Sequence, residues 1–288
     1  LIHEHALAHF GPRRWWPAQT REEVIIGAVL TQNTTWKNVE RAIAALRGEN
    51  VITLRAVAQC KPDRLARLIR SIGYFNIKAA RLQTVARWFI EHCPPAPARD
   101  TRHRQSLSSC IVMVCPPAPA RDTRPVESKR PDVAKAPPSF SPTDIPIPLR
   151  PPIDTTEGAL DFSPWIGLQG ASLEALRGAL LEVPGLGPET ADSILLYALD
   201  CPTFVVDAYT RRIGARHGLF DPEATYEEIK LIFEGLLERN LALFNDYHAQ
   251  LVALGNTYCR PRNPLCAQCP LGRAECFAYG KPFVYEAK

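Results

Sequence analysis

The 288-residue sequence predicts an all-α fold. Eight segments place apolar residues at helical spacing, and most begin or end at a recognisable helix signal. The single β-like run, FVV at 204–206, is too short for a strand. In chain order, the first helical segment is 21–47, broken by the polar TQNTT. Next, 61–73 has Pro62 early, Leu65, Leu68, Ile69 and Ile72 on one face, and Gly73 as a stop. The pattern repeats over 78–93. The segment 172–183 opens at Ser172, a favoured capping residue. Helices are also predicted over 188–199, 207–219, 225–240 and 244–259.

Residues 94–152 differ from the rest. They hold 15 of the 27 prolines, no glycine and one aromatic residue, Phe140, and the string CPPAPARDTR occurs in them twice, at 93–102 and 115–124. Two copies do not make a solenoid. Such a composition buries too little surface to offset the entropy of ordering, so a surface insertion with polyproline character is expected. A basic tether that holds DNA non-specifically is the sharper alternative.

Charge supports no partner by itself. The net +4 sits entirely in 94–152, which hold nine basic and five acidic residues, and the remainder balances. No apolar run reaches membrane-spanning length, and the first residues, LIHEHALAHFGPRRWW, lack the apolar stretch and cleavage site of a signal peptide. These features suggest an intracellular chain (cytoplasm or nucleoid) with no membrane partner.

Three motifs carry chemistry. In VPGLGPETA (183–191), Gly185 and Gly187 make a tight turn before Pro188, which suits a first helical turn. A hairpin of this kind turns free N–H groups outward at a helix start and suits phosphate, although it also reads as an ordinary connection between helices. Twenty residues after Gly187, Asp207 opens a helix. A capping carboxylate is kept ionised by helix N–H groups, and an ionised carboxylate suits an oxocarbenium-like sugar. The third motif is C-x6-C-x2-C-x6-C, formed by Cys259, Cys266, Cys269 and Cys276. Four thiolates within 18 residues, interleaved with prolines, suit a tetrahedral zinc or a [4Fe–4S] cluster, and spacing does not choose between them.

Together, hairpin, aspartate and four-cysteine loop resemble the endonuclease III superfamily, the helix-hairpin-helix–Gly/Pro–Asp DNA glycosylases, over nearly everything except 94–157. The resemblance implies two helical domains flanking a DNA-binding cleft. One is a helical barrel formed by 21–93 and 158–201, the latter carrying the hairpin and separated from the former by the Pro-rich insertion 94–157. The other joins 1–20 to 202–288 and carries the metal loop. It implies a [4Fe–4S] cofactor on the four cysteines, although the last gap is one residue longer than the usual family spacing. It also implies damaged double-stranded DNA as the partner of a monomer.

Members of this family that cleave strands carry a lysine where this sequence has Glu189. A carboxylate forms no Schiff base, so a monofunctional glycosylase is expected, with Asp207 stabilising the sugar cation and activating water. Glu189 itself also suits a helix start. Trp15, Trp16 and Trp36 lie within 22 residues and are candidates for an aromatic pocket around a flipped base, although tryptophans also pack helices together. That arrangement resembles the lysine-lacking, 3-methyladenine-releasing branch. Cationic alkylpurines are drawn to aromatic faces and leave readily. By position, Gln32 matches the residue that fills the gap left by the base, and Tyr74 the wedge in the opposite strand. Lys78 and Arg81 are candidates for phosphate contact or plain solvation. Two other readings stay open: a glycosylase for oxidised pyrimidines, and a DNA-binding protein without catalysis.

Overall fold

The computed structural model describes residues 2–13, 16–93 and 160–272. Trp15, Cys276 and the segment 94–157 therefore lie outside the described residues. Eleven α-helices are present among those described, and no β-strand. They are α1 (Ile2–Phe10), α2 (Arg21–Thr31), α3 (Trp36–Gly48), α4 (Leu54–Gln59), α5 (Pro62–Leu68), α6 (Phe75–His92), α7 (Ala171–Leu181), α8 (Pro188–Ser193), α9 (Ala208–Arg216), α10 (Tyr226–Leu236) and α11 (Leu241–Thr257). None is long and apolar enough to cross a membrane.

Side-chain caps set five of the eleven helix starts. Thr20, Thr53, Asp207, Thr225 and Asn240 each accept a backbone N–H with the side chain at the start of α2, α4, α9, α10 and α11. Each such cap stabilises its helix by about 1 kcal/mol. At α10, Glu228 reaches back to Thr225 and completes a capping box. Ser172 is not a cap: Gly170, at φ +59°, precedes α7 without any side-chain bond, because the chain must turn sharply there.

The FVV run is extended and fully buried but joins no sheet. Side chains take the place of a neighbouring strand: Phe204 N–H donates to Glu234 Oε1 at 2.8 Å and Val206 N–H to the Tyr226 hydroxyl at 3.3 Å. Two of its three buried N–H donors are thus satisfied without a ladder.

Packing brings helices distant in sequence together. Helix α1 lies on α11, which also packs on α9, while α6 lies across α4 and α5 and touches α2. The buried Glu22 of α2 ties distant segments by accepting from Leu54 N–H and, at 3.1 Å, from Leu160 N–H. After α8 the helix widens into a π turn, Ile194–Ala198, packed against both α2 and α11. Arg21 fastens its far end, donating to the Ala198 carbonyl and pairing with Asp200 at 2.8 Å.

Candidate active site

The hairpin joins α7 to α8. Leu186 N–H donates to Val183 O at 3.0 Å, closing the turn, and Gly185 takes φ +94°. Arg81 of α6 lies against this turn, so a Cβ at Gly185 would come within 2.8 Å of its Cγ. Gly185 is therefore required both by conformation and by close approach. Gln32, just past α2, spans the gap to the hairpin. Its amide donates to Gly185 O at 2.9 Å and Thr190 Oγ1 at 3.0 Å, and Arg81 Nη1 donates to its Oε1 at 3.2 Å.

Lys78 does not reach outward. It is buried, donates to Leu30 O at 3.0 Å and so satisfies a carbonyl at the end of α2. Desolvation and the neighbouring Arg81 lower its pKa. Neither phosphate contact nor solvation describes it. Tyr74, by contrast, is 77% exposed, with a left-handed backbone before α6 and the exposed Ile77 nearby.

Asp207 caps α9. Its Oδ1 accepts from Thr210 N–H at 2.7 Å and Thr210 Oγ1 at 2.9 Å. Its Oδ2 faces His248 Nε2 of α11 at 3.4 Å, longer than an ideal hydrogen bond. The other imidazole nitrogen, Nδ1, is 2.5 Å from the Tyr197 hydroxyl. Burial pushes the Tyr197 phenol well above its ordinary pKa, so its proton stays on. His248 thus lies between the Tyr197 hydroxyl and Asp207, with one ring nitrogen toward each. Burial would raise the Asp207 carboxyl, but His248 and the Thr210 donors outweigh it and hold the group below its ordinary value.

Glu189, in the first turn of α8, behaves oppositely. It is exposed to solvent. Lost hydration and the Asp207 carboxylate raise its pKa to about 7, against the pull of His248 and Arg211. Of the two, Asp207 is the more readily ionised.

An aromatic row leads away from this pair. Tyr197 packs on Trp16 with ring centres 5.1 Å apart, and Trp16 meets Trp36 edge-on at 5.6 Å. Both tryptophans are half-buried. Trp16 has φ +69°, a strained conformation for a non-glycine residue. A Cβ on Gly27 would stand 3.2 Å from its indole nitrogen, so the absence of a side chain there admits the ring. The structure therefore groups Trp16, Trp36, Asp207 and Glu189 through Tyr197 and His248, neither of which the sequence singled out. No local motif marks them: Tyr197 sits in an ordinary-looking helical run, and His248 lies 41 residues beyond Asp207.

Cys259, Cys266 and Cys269 are free thiols at the end of the described chain. Arg216 Nη1 donates to Cys259 Sγ at 3.3 Å, and the backbone N–H groups of Leu271 and Gly272 face Cys269 Sγ. Gly272 passes so close to Cys266 O that a Cβ would collide with it. N–H donors around sulfur, and a loop wound this tightly, fit a cluster held by thiolates. Among the described residues, no three His, Cys, Asp or Glu side chains are gathered tightly enough to hold a metal ion by themselves.

Comparison with known proteins shows the family. Residues 26–239 match the model of the HhH-GPD superfamily of base excision DNA repair proteins. A protein of Methanocaldococcus jannaschii assigned as a DNA repair glycosylase is 34% identical over 270 residues, covering 94% of this chain and 92% of its own length. Among solved structures, endonuclease III trapped as a covalent intermediate with DNA superposes with a TM-score of 0.59 at 16% identity, over 94% of this chain and 90% of its own. The H. pylori 3-methyladenine DNA glycosylase bound to 1,N6-ethenoadenine gives 0.52 at 21% identity, over 87% and 92%. The two structural likenesses support the helical fold.

Proposed function

This chain belongs to the HhH-GPD superfamily of base excision DNA repair proteins, and from that premise we propose that it is a monofunctional DNA N-glycosylase acting on alkylated purines such as 3-methyladenine. The observation that carries this reading is Asp207 at the head of α9, with one oxygen held by Thr210 and the other facing His248, in a chain that has a carboxylate rather than an amine at position 189.

In this reading the hairpin of Gly185 and Gly187 grips the DNA backbone, with its shape kept by Gln32 and Arg81. Tyr74 supports the duplex opposite the extruded nucleotide. The flipped base lies against Trp16 and Trp36. A cationic base over an aromatic face gains roughly 0.5–2 kcal/mol. As the C1′–N bond lengthens, positive charge grows on the sugar, and the Oδ2 face of Asp207 stabilises it. Water then adds to C1′ with Asp207 directing it. With no amine to attack, no covalent intermediate forms and the strand stays intact.

The resident metal group in this reading is a [4Fe–4S] cluster held by Cys259, Cys266, Cys269 and Cys276. When bound it supplies rigidity to the C-terminal loop, because its ligands lie outside the Asp207 network.

The test is base release from methylated duplex DNA, resolved by chromatography, with strand nicking scored in the same tube. Release of 3-methyladenine without nicking is the expected outcome. Nicking without added base or heat would overturn the monofunctional assignment, and release of oxidised pyrimidines alone would overturn the substrate.

A further inference from the structure

We propose that the open-sided cavity between α5 and α6 grips a backbone phosphate of the DNA strand opposite the lesion, with Arg67 and Arg70 as its donors. The inference rests on the DNA-binding reading above and goes beyond it by giving the second strand a site of its own.

The cavity measures about 300 Å³. It is lined by Asp63, Ala66 and Arg67 of α5, by Arg70 in the short turn Arg70–Ile72, and by Phe75 and Asn76 at the start of α6. Arg67 and Arg70 stand three residues apart, a spacing that puts side chains on one face of a helical stretch. Both are exposed. Among the described residues neither pairs with a carboxylate, whereas Arg64 on the same helix is held by Glu49 at 2.7 Å. Asp63 also lines the cavity, so two guanidinium groups outweigh one carboxylate there.

Guanidinium forks facing one opening match a phosphodiester, which carries a negative charge and accepts bidentate hydrogen bonds. Asn76 adds an amide donor. Ala66 and Phe75 give the wall an apolar part suited to the adjoining deoxyribose.

Helix α6 ties this cavity to the second strand. Its first turn lines the cavity, and Arg81, five residues on from Asn76, lies against the hairpin at Gly185. Five residues advance a helix by roughly 7–8 Å. The two backbones of a duplex flank a minor groove about 6 Å wide. A duplex with its lesion strand on the hairpin is thus placed to present its other strand to the cavity. Tyr74 immediately precedes Phe75 and is 77% exposed, set outward by positive φ at both Gly73 (+67°) and Tyr74 (+44°). The residue placed above against the far side of the duplex therefore borders the cavity.

The experiment measures binding of the full chain to a short duplex that carries a tetrahydrofuran abasic-site analogue, by fluorescence anisotropy over a range of salt concentrations. The parent is compared with the double variant Arg67→Gln/Arg70→Gln and, as a charge control, Arg64→Gln. Every altered side chain is exposed, so the fold stays intact. The double variant is expected to bind roughly tenfold more weakly at about 0.1 M salt, and to lose about 1 from the slope of log affinity against log salt. Arg64→Gln should stay within about twofold of the parent. Methylphosphonates placed one at a time along each strand locate the contact. At the contacted position, in the strand opposite the analogue, the substitution should weaken the parent roughly tenfold and the double variant hardly at all. An unchanged slope in the double variant, an equal loss in Arg64→Gln, or sensitive positions confined to the lesion strand would each overturn the proposal. The glycosylase reading, scored separately by base release, would stand. Failure of the parent to bind the duplex would overturn both.

Discussion

Two buried carboxylates stand within one hydrogen-bonded neighbourhood and are used in opposite ways. Asp192, on α8, has both oxygens consumed by the protein. Arg177 grips it with two bonds, 2.8 Å to Oδ1 and 3.0 Å to Oδ2, Thr203 adds one at 3.1 Å and Tyr226 another at 2.9 Å. Asp207 has one oxygen fully bonded and the other facing His248 at 3.4 Å. Tyr226 touches both neighbourhoods, since its hydroxyl also takes the Val206 N–H one residue before Asp207. The lesson is that burial does not mark a functional carboxylate. Asp192 is the more deeply buried and the better paired. What marks Asp207 is incomplete satisfaction, which leaves a charged edge to act on something else.

The most severe test of this contrast is Arg177→Met, which strips Asp192 of its counter-ion. Breaking a buried pair from one side costs about 3–5 kcal/mol, and urea unfolding should show it. A loss below about 1 kcal/mol would mean Asp192 is not the structural partner described.

Asp207→Asn should act on the reaction instead. Asparagine still caps a helix, so stability should change by less than about 1 kcal/mol. Base release should fall about 10²–10³-fold or more, because the charge is lost. A large fall in melting temperature with activity retained would erase the distinction between the two residues.

Tyr197→Phe sharpens the comparison by leaving both carboxylates in place. It removes the hydroxyl from His248 Nδ1, at a cost of about 1–2 kcal/mol. It also frees the imidazole to turn away from Asp207, so base release should fall more than affinity for DNA. An unchanged pH profile would show that Tyr197 only packs against Trp16.

The smallest expected effect has a definite sign. Glu189 binds its proton more tightly folded (to about pH 7) than unfolded, where glutamate titrates near 4.5. Between those values the folded chain holds more protons, so this group costs stability as pH rises through the window. Glu189→Gln should therefore raise the melting temperature relative to the parent at pH 8 and leave it little changed at pH 4. A gain confined to low pH would contradict the sign.

Much of this was legible in the sequence, for identifiable reasons. Asp207 follows an apolar run and precedes a helix, a local signature that capping chemistry makes readable. Gly185 and Gly187 announced a turn because few other residues tolerate one. Helical periodicity located most of α2–α11, but it missed α1 and the six-residue α4, whose patterns are too brief to stand out. The FVV run was rightly denied strand status on length, although the true reason is that Glu234 and Tyr226 supply its partners. Lys78 misled because its apolar stem and single bond to Leu30 O depend on a neighbour 48 residues away. His248 and Tyr197 were illegible for the same reason: their meaning lies in a contact across 51 residues, and no spacing rule encodes that.

The π turn at Ile194–Ala198 acts as a phase shifter. An α-helix advances about 100° per residue, so one face of a short helix cannot serve two differently placed neighbours. Widening a single turn lets Pro188–Ser193 present Thr190 to Gln32 beside the hairpin while Tyr197 arrives between Trp16 and His248. Deleting a residue of this turn other than Tyr197 would keep every side chain of the site yet rotate the downstream half by about 100°. Tyr197 would swing off His248, and Arg21 would lose its hold at Ala198. The site's composition would survive intact while its alignment vanished, so one turn of helix carries a setting that no single side chain could replace.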